Sequence, residues 1–412
     1  MTNKIPLPPP YSRIHRHKVL PKVNHDENSR MNFIANLNIH VGNVLFPGVS
    51  QVYKNKVEPS FIKKYGRKPE TSVEVRNIIK ENTIYQAWSA IRRNTMEMRH
   101  QIGRSIVFRQ IHKLINQSNR LNETNPETLQ LDENVKIPSY LRAIDNHCMP
   151  GSYYTEVMEK DISAPANYEA GHFTTVAGGT GPKSDIVGRA MAKWIKENNN
   201  GFNPKVIYDI GAGAGINTLP IAQAFPDSQI FAIDVAAPML RYGHARAVDM
   251  GVKNVIFKQA DFEFSEFKET NADLIISAMF FHEISAKSMR SILRKSLTML
   301  KSGGLMLHME QPNFDEDTEA FEKFVRDWDA WYNGEPYWAK LHSLNIVEEM
   351  LAAGFDKDKV FEASQHIDRH HKSYPSWSGQ FSRHAHEAKM REDKIKSNPK
   401  NNGGIYMFGA YK

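Results

Sequence analysis

The sequence predicts an α/β chain: a doubly wound, mostly parallel Rossmann-like sheet preceded by an N-terminal helical domain. Three observations carry this. From about Ser184 short apolar runs alternate with amphipathic stretches of about ten to fifteen residues, the pattern of strands joined by crossover helices. A glycine-rich turn, Asp209-Ile210-Gly211-Ala212-Gly213-Ala214-Gly215, falls between one such run and the helix after it. Between about Met31 and Asn119 apolar residues recur at helical spacing instead, as in Ile78, Ile79, Ile84, Tyr85, Trp88 and Ile91, then Ile102, Ile106, Val107 and Ile111.

Taken in order, residues 1–28 form a Pro-rich arm, with Pro6, Pro8, Pro9 and Pro10 resisting helix, and it is either mobile or draped on the fold. Residues 29–160 are the helical domain and its connector. The last long helix carries Arg92, Arg93, Arg99, Arg104, Arg109 and Lys113 against a lone Glu97, so it is either a solvated face or a stripe for an anionic ligand. Residues 120–183, rich in Asn, Pro and Gly, read as an ordered connector. In residues 161–412 the expected strands are Lys205–Ile210, Gln229–Ile233, Asn254–Lys258, Asp273–Ala278 and Leu305–Met309, then Val360–Ile367 and Ile405–Tyr411 around a C-terminal insertion. Helices are expected at Ile186–Ile195, Pro220–Phe225, Pro238–Met250 and Lys287–Leu300. Right-handed crossovers place the strand carboxyl ends on one edge, where ligands bind.

Composition bounds the function. Of 412 residues 41% are hydrophobic and 24% charged, which excludes a disordered chain. Lys+Arg 53 against Asp+Glu 46 leaves +7, too small an excess to indicate nucleic acid. The single cysteine, Cys148, excludes an internal disulfide framework, a four-cysteine zinc site and a CxxC pair, and points to a reducing compartment. No run reaches the roughly 18 apolar residues of a membrane helix, and Met1–Pro10 lacks a signal-peptide pattern. A cytoplasmic protein without a membrane span is expected.

The chemistry starts at the glycine turn. The next strand ends in Asp234, placed to accept both hydroxyls of a ribose, and the one after leads to Asp261-Phe262. That much suits any nucleoside cofactor, a dinucleotide included. The spacing is GxGxG rather than GxGxxG, however, and an acid stands two residues before it, well placed for an ammonium group and badly for a phosphate. Here the sequence resembles the class I S-adenosylmethionine-dependent methyltransferases over roughly residues 184–312. The resemblance implies S-adenosyl-L-methionine as cofactor, with Asp209, Gly211, Gly213 and Gly215 in the first motif. It makes Asp234 the ribose acid and Asp261 with Phe262 the adenine contact, and sets Lys301-Ser302-Gly303-Gly304 as the turn before the fifth strand.

Met279-Phe280-Phe281-His282-Glu283 follows the fourth strand and lacks the Asn/Asp-Pro-Pro-aromatic loop common in nucleic-acid amino methyltransferases. Cys148, followed by Met149, lies outside the sheet, which argues against cytosine-carbon methylation, so no DNA acceptor is expected. The His-Glu pair resembles the small-molecule O- and C-methylating branch, which implies methyl transfer to an oxygen or carbon of a small organic molecule. His282 is the candidate base, because imidazole titrates near pH 6.5, or else it packs against or caps the next helix. Glu310, ending the fifth strand, either orients the acceptor or pairs with a neighbouring Lys or Arg. A protein or RNA acceptor, and a non-methylating binding protein on the same fold, stay open. His366, His370, His371, His384 and His386 lack acidic partners at ligand spacing, so no metal is expected and a surface loop or lid is the reading. Trp328, Trp331, Tyr332, Tyr337 and Trp338 either line the acceptor pocket or pack in the core. The N-terminal helical domain offers a surface for a homodimer.

Overall fold

The computed structural model describes residues 7–267, 271–367, 398–400 and 403–412. Eight strands make one sheet: β1 Leu129–Gln130, β2 Val206–Ile210, β3 Gln229–Asp234, β4 Val255–Gln259, β5 Ala272–Ala278, β6 Leu300–Met309, β7 Val360–Gln365 and β8 Ile405–Tyr411. Their order is β1-β4-β3-β2-β5-β6-β8-β7. All neighbouring pairs are parallel except those of β8, which runs antiparallel to β6 and β7. Strands β2 and β5 read as near-continuous apolar runs because helices cover both faces, and Ile207, Tyr208, Leu274 and Ile275 are fully buried. The order reverses at β2, so the cleft opens beyond the carboxyl ends of β2, β3 and β5.

Two departures from expectation lie in the sheet. The connector supplies β1, whose two residues pair with Phe257 and Lys258; a strand of two residues is too short to show a period. Strand β6 starts at Leu300, taking in the expected Lys301–Gly304 turn. Its register against β5 jumps from Ala272–Leu300 to Leu274–Leu305, so the extra residues bulge out around Gly303.

The basic helix, Thr83–Phe108, is capped by Asn82, whose side chain accepts from the N–H groups of Ile84 and Tyr85. It is neither a solvated face nor an open stripe. It packs between His25–His40 and Ser163–Thr175, and its cations are used internally. Arg92 donates to Asp329 (2.8 Å), Arg93 to Glu97 (2.8 Å), Arg99 to Thr175 and Arg109 to Glu27 (2.7 Å). Lys113 belongs to a separate helix, Ile111–Asn122, packed on Ala237–Asp249. The arm is draped from residue 7 onward. Tyr11, Ile14, Val19 and Leu20 are buried, and His17 reaches Glu169 at 3.1 Å. Its prolines exclude helix but leave these side chains with a surface to cover.

Among the described residues no helix is long and apolar enough to cross a membrane. His370, His371, His384 and His386 lie outside the described residues.

Candidate active site

The turn after β2 opens the cleft. Gly211 has φ +66°, and a Cβ there would stand 2.2 Å from Cδ2 of Phe280, so only glycine lets the turn pass under that ring. Asp234, ending β3, holds the turn: one oxygen accepts the Gly213 N–H (2.9 Å), the other that of Ala236 (2.8 Å). Asp209 accepts the Thr218 hydroxyl at 2.6 Å, and burial pushes its carboxyl up to about 7 against the effect of that bond. Asp261 accepts the Glu263 N–H (2.9 Å) and is also raised by burial.

One cavity joins these groups, with about 1450 Å³ of open space, its mouth included. Asp209, Gly211, Gly213, Asp234, Asp261 and Phe262 line one side. Tyr140, Tyr153, Tyr154, Tyr168 and His172, from the connector and the Ser163–Thr175 helix, line the other. Gly215 is outside the lining. It packs against Phe257 and Gly243, where a side chain would separate helix from strand. Among the described residues the lining has no Lys or Arg, and burial lowers His172 to about 4, keeping it neutral. Five carboxyl groups, those of Asp209, Asp234, Asp261, Glu263 and Glu283, without a Lys or Arg suit a cation-bearing nucleoside and give a pyrophosphate no counter-charge. These groups fit S-adenosylmethionine.

His282 takes a different position from the one its sequence suggests. It is 1% exposed and sits behind the wall, while Glu283 lines the cavity. The short turn Phe281–Glu283 after β5 points the imidazole under the Trp338 ring, centroids 4.4 Å apart. Glu310, expected to orient the acceptor or to pair with a Lys or Arg, pairs with His282 instead of a Lys or Arg. Its oxygens accept Nδ1–H of His282 (2.8 Å) and the N–H groups of Phe281, His282 and Gln311. Burial would lower His282, but Glu310 and then Glu283 raise it to about 9. Of the aromatic cluster Trp328 is core, Trp338 covers His282, and Trp331 is 55% exposed under Arg76.

Sequence reasoning missed His147, Glu335 and the connector tyrosines. His147 Nε2 lies 3.2 Å from Glu283 Oε1 and its Nδ1 2.5 Å from Glu335 Oε1. Tyr153 donates to Oε1 of Glu283 at 2.8 Å, and Asn146 Nδ2 donates to its Oε2. Burial would lower His147, yet Glu335 and Glu283 raise it to about 10; burial would raise Glu283, yet His147 and His282 bring it down to about 2. The one legible signal was Gly334. At φ +70° a Cβ there would fall 2.3 Å from the Asp145 carbonyl, so glycine brings the Glu335 loop against residues 145–147.

Residues 207–304 match the family model described as a methyltransferase domain. The segment is a class I S-adenosylmethionine-dependent methyltransferase domain. The chain resembles, at 34% identity over 106 residues, the ubiquinone/menaquinone biosynthesis C-methyltransferase UbiE of Pseudomonas savastanoi pv. phaseolicola, with 25% of this chain and 41% of that one covered. It is 32% identical over 127 residues to the ribosomal RNA small subunit methyltransferase C of Escherichia coli O1:K1 / APEC, covering 29% of this chain and 36% of the other. The chain thus spans less than half the length of these curated relatives. Among solved structures, a Haemonchus contortus phosphoethanolamine N-methyltransferase 2 in complex with S-adenosyl-L-methionine aligns over 58% of this chain and 54% of that one, at 14% identity and TM-score 0.37.

Proposed function

We propose that this methyltransferase transfers a methyl group to an oxygen or carbon of a small, uncharged or cationic organic molecule. The observation that carries the reading is the lining itself. A tyrosine-rich wall faces the cofactor wall across one cavity without Lys or Arg among the described residues, so a phosphate-bearing acceptor would find no basic side chain of either kind in the lining. When bound, S-adenosylmethionine supplies a methyl already activated on a sulfonium, so alignment and deprotonation of the acceptor are the protein's task.

Asp209 would hold the cofactor's ammonium, Asp234 its ribose, and Asp261 with Phe262 its adenine. Tyr153, Tyr154 and Tyr168 would flank the acceptor. His282 and Glu310 would act on it through Glu283: Glu310 fixes the imidazole with Nε2 toward Glu283, 3.8 Å from Oε1, and Glu283 borders the cavity. In this reading residues 161–412 are the methyltransferase domain, and residues 29–160 with their connector shape the acceptor side. The lone Cys148, buried and unbridged, supports a cytoplasmic setting.

The test is transfer of labelled methyl from S-adenosylmethionine to an extract of the native host, separated by size and treated with nuclease or protease. Label in the small-molecule fraction is expected. Label held in RNA or protein overturns the small-acceptor reading in favour of the macromolecular one.

A further inference from the structure

We propose that His147, His282, Glu283 and Glu335 bind one divalent first-row cation, of the Zn²⁺, Mn²⁺ or Fe²⁺ class, at the floor of the acceptor side of the cavity. One ligand atom from each lies within 4.8 Å of all the others. Ligand atoms around a cation with bonds of about 2.0–2.2 Å stand roughly 3 to 4.3 Å apart. Nε2 of His147 and Nε2 of His282 lie 3.2 and 3.8 Å from Oε1 of Glu283, inside that range. The widest separation needs only a small contraction. Two imidazoles and two carboxylates suit these ions better than Mg²⁺ or Ca²⁺, which take oxygen, or Cu⁺, which takes sulfur.

Two further observations point to a ligand. Glu335 is 0% exposed, and its oxygens accept no well-aligned hydrogen bond; its partner is the His147 imidazole, whose Nδ1 lies 2.5 Å from Oε1. With one imidazole as its partner, this buried carboxylate keeps acceptor capacity that a cation in the cluster would fill. His282 is also already built as a ligand: Glu310 takes its Nδ1–H at 2.8 Å and so directs Nε2 into the cluster, the carboxylate–histidine arrangement that orients metal-bound imidazoles. His147 is presented from a strained turn, with φ 55° at His147 and 57° at Cys148. Because Glu283 lines the cavity, the ion would border the acceptor, and a coordination position left open there would take an acceptor oxygen and ease loss of its proton. That last role rests on the proposed function; metal binding does not. His282 would then be a ligand, with the ion in place of a protein base.

The full-length protein is stripped with a chelator and titrated calorimetrically with Zn²⁺ and, separately, Mn²⁺, with S-adenosylmethionine binding measured alongside. About one equivalent of ion per chain is expected. Glu310→Gln should lower metal affinity about 10- to 100-fold, and His147→Gln with Glu335→Gln together should abolish it, with cofactor affinity kept within a few-fold. Co²⁺ loaded into the unmutated protein should show the intense visible bands of a four- or five-coordinate site, a readout independent of how the variants fold. Absence of stoichiometric binding of either ion to protein that binds cofactor overturns the proposal. So does binding that survives in the double variant, which would move the ion elsewhere, such as the histidines of residues 366–386. Failure of cofactor binding with the metal retained would instead strike the proposed function.

Discussion

Replacing Asp209 by Asn should stabilise the free methyltransferase while weakening its hold on the cofactor. Burial raises this carboxyl from an ordinary value near 3.9 to about 7. Because the folded value lies above the unfolded one, the group's contribution to stability is fully present below about pH 4 and is lost as pH rises through about 7. The gap of about three units corresponds to on the order of 4 kcal/mol at most. Asn has no such loss and can still accept the Thr218 hydroxyl. Above pH 7 the variant should therefore resist urea better than the parent, by up to a few kcal/mol. The cofactor's ammonium would favour the carboxylate, so binding below pH 7 must release a proton. Affinity should rise roughly 25-fold between pH 5.5 and 7.5 for one group titrating near 7. The Asn variant should be nearly flat and match the parent only at the acid end. Calorimetry over that range, in buffers of different ionisation enthalpy, reads both the affinity and the proton. A flat parent profile, or an unchanged slope in the variant, would refute the reasoning.

Three further outcomes are expected. Gly211→Ala should lower cofactor affinity at least about 100-fold, since strain at φ +66° adds to a clash with Phe280; near-normal binding in a titration would show that the turn yields. Asp234→Ala should weaken S-adenosylmethionine by roughly 1.5 to 3 kcal/mol, the scale for hydrogen bonds to a charged group, and adenosine by a similar amount; a loss confined to the methionine end would place the ribose elsewhere. Arg92→Ala should cost about 3 to 5 kcal/mol by breaking the buried ion pair with Asp329, whereas Arg92→Met with Asp329→Leu should recover most of it in urea unfolding. An equal loss in both would assign the effect to packing on Trp328, which Arg92 covers at 4.0 Å.

Local pattern determined the sheet and the cofactor side of the cleft. Strands β2 to β5 and β8 fall within about a residue of their apolar runs, because a buried parallel strand must be apolar on both faces. Asp209, Gly211, Gly213, Asp234 and Asp261 come together because each ends or follows a strand whose carboxyl end the topology sends to one edge. Tertiary structure alone decided the rest. His147 and Glu335 lie 136 and 52 residues from Glu283 and Glu283's neighbourhood is set by loops, so no periodicity announces them. The basic helix looked polar on one side because the partners of several of its arginines are supplied from elsewhere, as Arg92 meets Asp329 across 237 residues and Arg99 meets Thr175. Even His282, correctly placed at the end of its strand, was turned away from the cavity by a carboxylate 28 residues on. A strand end fixes where a side chain starts; the partners brought by other segments fix where it points.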